Sequence, residues 1–332
     1  MNRRFQHGMT LIELMVALAI GTFLMLGAVT VFMQSRTSFR VTESLSRLQE
    51  NARFALDTME PEIRMAHFWG LTARTYLIQG RAAPAAGAGV GVHDCGNNWK
   101  LNLNETVEGS NTYANVIGCA PAAPGAQVPN SDVLVVRRAG EDAIALAALT
   151  AGTLYIQSTR AQLGQIFAGT AIPAGYDPAT SETHRLLASG YFVSTTSSIT
   201  GMPSLRRKFV QANGTIGEEE IMVGVEDMQI QFGIDTDVPG TPVAPNPNRG
   251  SIDRYVNPDD PIIDPANGGF DPNAEILAVR VWLLLRAASR ENGLVDNTVY
   301  QYADRDFPAF TDSLRRLLVS KTIYIRNARP PL

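Results

Sequence analysis

Hydrophobic and polar positions fall into three regimes along the chain. From Leu14 to Met33 the sequence LMVALAIGTFLMLGAVTVFM carries no charge. A helix of that length spans roughly 30 Å, one hydrocarbon thickness. Beyond it Leu45, Leu48, Ala52, Leu56, Met59 and Ile63 recur at spacings of three and four, the period of one helix face. No proline occurs between Met1 and Glu60. The pattern predicts one continuous helix from about Met9 to about Glu60, roughly 78 Å long. Its first half is membrane-type and its second half amphipathic. Pro61 is expected to kink or end it, with EIRMAHFWG adding a turn.

The third regime is strand-like. DVLVVRR (132–138), GTLYIQS (152–158), LLASGYFVS (186–194), SLRRKFV (204–210), EIMVGVEDMQIQFGI (220–234), EILAVRVWLLLRA (275–287) and KTIYIRN (321–327) are short apolar runs. Several alternate apolar and polar positions, as half-buried antiparallel strands do. Residues 80–131 are rich in Gly, Ala, Pro and Asn and read as long loops. Strand-to-helix alternation is absent. The expected class is α+β: one long helix packed on an antiparallel sheet with long loops.

Composition narrows this picture. The 332 residues are 45% hydrophobic and 18% charged, a globular balance with one membrane-type segment. The net charge is −4, which gives no general attraction to nucleic acid. Charge is uneven: between Glu218 and Glu275 there are 13 acids and 2 arginines, and from Ile276 onward 9 basic and 5 acidic residues. Such runs are either solvated faces or contacts that select a partner.

Candidate chemistry is sparse. The histidines, His7, His67, His93 and His184, are scattered, and no H-E-x-x-H, G-x-S-x-G or phosphate-loop pattern occurs. GAGVG at 87–91 lacks a preceding strand and a following Lys-Ser/Thr, and reads as loop. Glu226–Asp227 reads as strand-edge surface, not as an acid/base pair. No enzyme and no cofactor is expected. Cys95 and Cys119 fit no zinc spacing. They are either a disulfide stapling a Gly/Asn/Pro-rich loop or two free thiols. DRYVNPDDPIIDPANGGFDPNAE (253–275) is dense in oxygen ligands and in turn formers. If it holds calcium, Asp259, Asp260 and Asp264 are the ligands to test.

The N-terminal stretch poses the sharpest question. HGMTLIELMVALAIG places Glu13 at the head of an apolar run, where a carboxylate is costly unless paired or protonated. Arg3 and Arg4 precede the run, which favours a cytoplasmic N-terminus. A secretory signal would be shorter and end in an A-x-A-like site. The segment resembles the class III signal of type IV pilins and type II secretion pseudopilins. In that pattern a short basic leader and a glycine precede an apolar first mature residue, and a glutamate follows four residues on. The departures are Met9, where phenylalanine is usual, and the lack of helix-kinking prolines.

The resemblance implies a leader of residues 1–8, removed by a prepilin peptidase between Gly8 and Met9, and N-methylation of Met9. It implies a helix over 9–62, with 9–33 in the membrane or filament core, and a periplasmic β-rich domain over 63–332. Glu13 would then meet the Met9 ammonium of a neighbouring subunit, neutralising both in low dielectric. The bland alternative is a carboxylate at the membrane interface. IRMAHFWG, VGVEDMQIQFGID, ILAVRVWLLLRA and KTIYIRN resemble the PilW family of minor pilins, so the resemblance covers nearly the whole chain. The cysteine pair does not bracket the C-terminus as in many major pilins. The implied role is a minor subunit of the type IV pilus, in a tip or initiation complex. Its implied partners are other minor pilins, the major pilin, prepilin peptidase and the inner-membrane assembly platform. The implied location is the inner membrane and then the pilus of a Gram-negative bacterium. The alternatives are a PulJ-like pseudopilin and a membrane-tethered binding or adhesion module.

Overall fold

The computed structural model describes residues 8–79, 99–160, 162–170, 172–177, 179–238, 246–264 and 267–328. The chain divides into two compact units, Met1–Arg47 and Leu48–Leu332. One helix, α1 (Leu11–Arg64), contributes to both. In the first unit its apolar side chains are exposed, Leu11 at 77% and Phe23 at 77%. The hydroxyls of Thr22 and Thr30 donate to Ala19 O and Gly27 O, each at 2.8 Å. These polar groups are satisfied by their own helix and need nothing from an apolar surrounding.

Pro61 lies inside α1, and the helix runs on to Arg64, within the turn expected of EIRMAHFWG. The proline lies on the exposed side, where water can solvate the carbonyl that its missing N–H leaves unpaired. The helix closes a turn later, with Met65 N–H donating to Pro61 O at 3.1 Å and Ala66 N–H to Ile63 O at 3.2 Å. His67, at φ +64°, then turns the chain away.

The second unit is built from strands. One sheet holds β1 (Ile78–Gln79), β2 (Val107–Ser110), β3 (Val133–Ala139), β4 (Leu154–Thr159), β5 (Gly164–Ala168), β6 (Ser181–Ser194), β7 (Ser204–Val210) and β8 (Ile216–Val223). Its order is β1-β5-β4-β6-β3-β2, with β7 on β6 and β8 on β7. β6 pairs with β4 over Ser181–Arg185, with β3 over Leu186–Tyr191 and with β7 over Ser189–Ser194. One long strand thus changes neighbours along its length, which curls the sheet. The second sheet holds β9 (Val225–Asp235), β10 (Arg254–Val256), β11 (Glu275–Arg290) and, after the hairpin β12 (Tyr300–Tyr302) and β13 (Arg305–Phe307), β14 (Leu314–Tyr324). Its order is β10-β9-β11-β14, antiparallel throughout. This is the α+β arrangement expected from the sequence.

Period-two alternation decides which side chain faces which core. Leu48, Ala52, Leu56, Met59 and Ile63 of α1 pack with Leu134 and Val136 of β3 and with Ile230, Phe232, Val281 and Leu283 of the second sheet. Val133 and Val135 face the other way, into a core with Trp69, Trp99 and Phe192. Both faces of β3 are therefore buried, which is why VLVV is continuously apolar. On the outer face of the second sheet, Leu284 packs with Tyr300 and Tyr302 of the hairpin.

The predicted strand 220–234 is two strands in different sheets. Gly224, at φ +89°, separates β8 from β9. Its N–H donates to Pro203 O and its C=O accepts from Arg286 N–H, each at 2.8 Å. A second joint lies at the start of β3. Asp132 Oδ2 accepts the N–H of Ile230 at 2.8 Å, and Gln229 Nε2 donates to Asn130 O at 2.9 Å.

Candidate functional site

The sequence pattern concentrates on the start of α1. Gly8, Met9 and Thr10 precede the helix, and Met9 is 67% exposed. Thr10 Oγ1 accepts the N–H of Glu13 at 3.3 Å, and Thr10 O accepts that of Leu14 at 3.1 Å. Thr10 is thus the cap, and Glu13 occupies the third helical position. Thr-x-x-Glu is the capping-box pattern, legible in TLIE but not anticipated. An acid in the first turn also meets the positive end of the helix dipole. The Glu13 side chain is exposed and, among the described residues, has no hydrogen-bond or ion-pair partner. The cap fixes the backbone and leaves the carboxylate available. Around it Leu11, Ile12, Met15 and Val16 are all exposed apolar side chains.

The other candidate residues have structural roles or fall apart in space. His184 bonds through Nδ1 to Gly140 O at 2.9 Å and through Nε2 to Glu182 at 3.1 Å, with Phe68 edge-on to its ring. Burial pulls His67 down to about 4, so its ring is neutral. His7 and His93 lie outside the described residues, as does the GAGVG loop. Glu226 and Asp227 are not a surface pair. Glu226 engages Arg316 and Arg286, whereas Asp227 is fully buried and accepts from Tyr302 Oη at 2.9 Å. Burial raises the Asp227 carboxyl to about 6. Asp132, missed in the sequence, is buried as well and is raised by burial to about 8.

Asp259, Asp260 and Asp264 do not converge on one point. Asp259 accepts from Asn111 Nδ2 at 3.4 Å, and Asp260 Oδ1 caps its own turn through Ile262 N–H at 3.0 Å. Asp264 lies near Glu105 and helps raise that carboxyl. The acids that do converge among the described residues are Asp235, Asp237 and Asp253. Their oxygens already serve the backbone: Asp235 Oδ1 accepts from Asp237 N–H and Asp253 Oδ2 from Thr236 N–H, each at 2.8 Å.

Among the described residues there is no free cysteine, and Cys119 packs against the second core. Cys95 lies outside the described residues. The acidic run is largely consumed within the domain. Glu218 pairs with Arg206 and Lys208 at 2.8 and 2.9 Å across β7 and β8, and Glu219 pairs with Arg207.

Residues 190–327 match the family model for type IV pilus-assembly protein W, and residues 3–29 match that for the prokaryotic N-terminal methylation motif. Neither the curated proteins nor the solved structures contain a match to the chain. A long N-terminal helix with an exposed apolar half, followed by a β-rich domain, is a pilin-like α+β arrangement. The two matches are those of a PilW-like type IV pilin and support the role of a minor pilin, a structural component of the pilus. The match does not favour the type II secretion pseudopilin. The apolar helix and the methylation motif mark membrane anchoring and association with other pilus components.

Proposed function

We propose that this minor pilin is cut between Gly8 and Met9 by a prepilin peptidase, methylated on the new Met9 amine and docked through Glu13 in a tip or initiation complex. One observation carries this reading. Glu13 is an exposed carboxylate without a partner among the described residues, one turn into an exposed apolar helix and four residues after Met9. While the Gly8–Met9 peptide is intact, residue 9 has no charge to offer. Cutting that bond creates an ammonium. In a staggered stack of helices, the ammonium of one subunit reaches the carboxylate of its neighbour, where low dielectric strengthens the attraction and makes either charge alone costly.

The same reading gives the topology. Arg3 and Arg4 keep the leader cytoplasmic, α1 crosses the inner membrane of a Gram-negative cell, and the β-rich domain lies in the periplasm. There an oxidised Cys95–Cys119 pair fits the compartment. Other minor pilins, the major pilin and the inner-membrane assembly platform are the partners. The test is Glu13→Ala. It should leave insertion and cleavage intact and remove the protein from sheared pili. Normal incorporation of Glu13→Ala would sink the docking role.

A further inference from the structure

The uncharged stretch of α1 ends at Met33, and Arg36 and Arg40 follow within the next two turns. At about 1.5 Å per residue, Arg36 lies roughly 4.5 Å beyond Met33 and Arg40 roughly 10 Å beyond it. The polar layer of a bilayer is about 5–7 Å deep on each side of the hydrocarbon. Side chains on a helix lean toward its N-terminus. Both guanidiniums are thus directed back toward the membrane-type half, to the depth of the headgroups. Phe32, Arg36, Phe39 and Arg40 share one face of the helix, at successive spacings of four, three and one. Both phenylalanines on that face are exposed, Phe32 at 65% and Phe39 at 70%. Aromatic rings beside long cations suit a boundary between apolar and polar layers.

These two arginines differ from the others of α1. Arg47 pairs with Glu43 at 2.7 Å, Arg53 with Asp57 at 3.4 Å, and Arg64 with Glu60. The side chains of Arg36 and Arg40 make no hydrogen bond and no ion pair among the described residues. The helix offers them little. Between Glu13 and Glu43 there is no acid, and Glu43 is engaged by Arg47. The neighbouring hydroxyls are spent on the backbone, Thr37 Oγ1 donating to Met33 O and Thr42 Oγ1 to Ser38 O, each at 3.0 Å. Like charges four residues apart on a helix repel, and an anion between them relieves that repulsion.

We propose that Arg36 and Arg40 clamp the phosphates of anionic lipids, such as phosphatidylglycerol, where α1 emerges from the bilayer. The inference rests on the membrane-anchored part of the reading above and not on the filament. Two features decide for lipid over an acidic face of another subunit. The cationic face continues directly from the apolar stretch, so the depth of the helix itself brings phosphates to it. The two phenylalanines on that face need an apolar neighbour, which acyl chains supply and an acidic protein surface does not. The clamp fixes the depth at which the unassembled subunit sits.

The test uses the full chain in vesicles of phosphatidylethanolamine and phosphatidylglycerol, with photoreactive p-benzoylphenylalanine in place of Phe39. Mass spectrometry of the adducts gives the ratio of the two lipids beside the helix. The probe is local, so Arg3 and Arg4, on the other side of the spanning run, do not contribute. The expected ratio favours phosphatidylglycerol over the bulk by at least about fivefold, the effect of one cation near an anionic surface. Arg36→Gln with Arg40→Gln should return it to the bulk ratio. Arg36→Lys with Arg40→Lys should keep it, because a phosphate also accepts an ammonium as a point charge. Adducts at the bulk ratio with both arginines in place, or an enrichment that survives the glutamine pair, overturn the proposal. So does a probe that captures another protein in place of phospholipid in cell membranes. Release of the chain from membranes by alkaline carbonate would instead overturn the anchoring, and this inference with it.

Discussion

Arg316 of β14 grips Glu226 of β9 across the intervening strand β11, with Nε 2.6 Å from Oε2 and Nη2 3.0 Å from Oε1. The same guanidinium reaches Asp312 at 2.8 and 2.7 Å and lies 3.4 Å from the Phe310 ring centre. Its side chain is 1% exposed. Asp312 is held well below the ordinary carboxylate range by these bonds. Removing one member of a buried network strands the rest. Arg316→Ala is expected to cost about 3 kcal/mol by urea melts, and Arg316→Lys to recover little, because an ammonium cannot reproduce the fork. A loss below about 0.5 kcal/mol would show the network to be solvated.

Burial of Asp132 gives stability a pH dependence of definite sign. Its carboxyl is raised from 3.8 to about 8, first by burial and then by Asp304, Asp227 and Asp259, against the Ile230 N–H bond that lowers it. The folded state holds a proton that the unfolded chain has lost, so stability falls as pH rises toward 8. His67, pulled down to about 4, acts oppositely, but only below pH 6.5. Above pH 6.5 the wild type should lose up to roughly 1.4 kcal/mol per pH unit from this one proton, the slope fading as pH approaches 8, with Glu105, raised to about 7, adding to it below that pH. Asp132→Asn keeps an acceptor for Ile230 and should flatten that slope. Parallel pH profiles for the two proteins would remove the claim.

Gly224 marks the passage from one sheet to the other. A Cβ there would lie 2.9 Å from Arg286 O, and φ is +89°. Gly224→Ala therefore costs roughly 1–3 kcal/mol through strain. Thermal melts of the variant check this, and a wild-type midpoint would mean that the joint relaxes freely.

If Cys95 and Cys119 are joined, reduction should lower stability by about 2–4 kcal/mol. Cys95→Ser should lower it equally, with no further effect of reductant. An identical melt with and without dithiothreitol would leave both thiols free.

The long helix was legible because its apolar period persists for many turns. Its end was legible to within a turn, because Pro61 lies on the exposed face, where a missing N–H costs little and one more turn can follow. The break at Gly224 was hidden inside a run that alternates correctly on both sides. What separates β8 from β9 is a backbone angle, not a change of polarity. Glu226 and Asp227 show the reverse error: adjacent acids look like one surface patch, yet the strand sends them to opposite faces. At the candidate site Gly8, Met9 and Glu13 could be singled out because leader, glycine, acid and apolar run stand in fixed order. The Thr10 cap was equally visible in TLIE. The converging acids Asp235, Asp237 and Asp253 were not, because the pairing of Arg254 with Ile234 brings distant residues together.

Mass spectrometry of the N-terminus of the native protein, taken from membranes and from sheared surface pili, tests the central claim most directly. The account predicts a chain that begins at N-methylated Met9 and is present in the sheared fraction. An unmethylated chain beginning at Met1 in both fractions would contradict it, since Glu13 would then have no ammonium to meet.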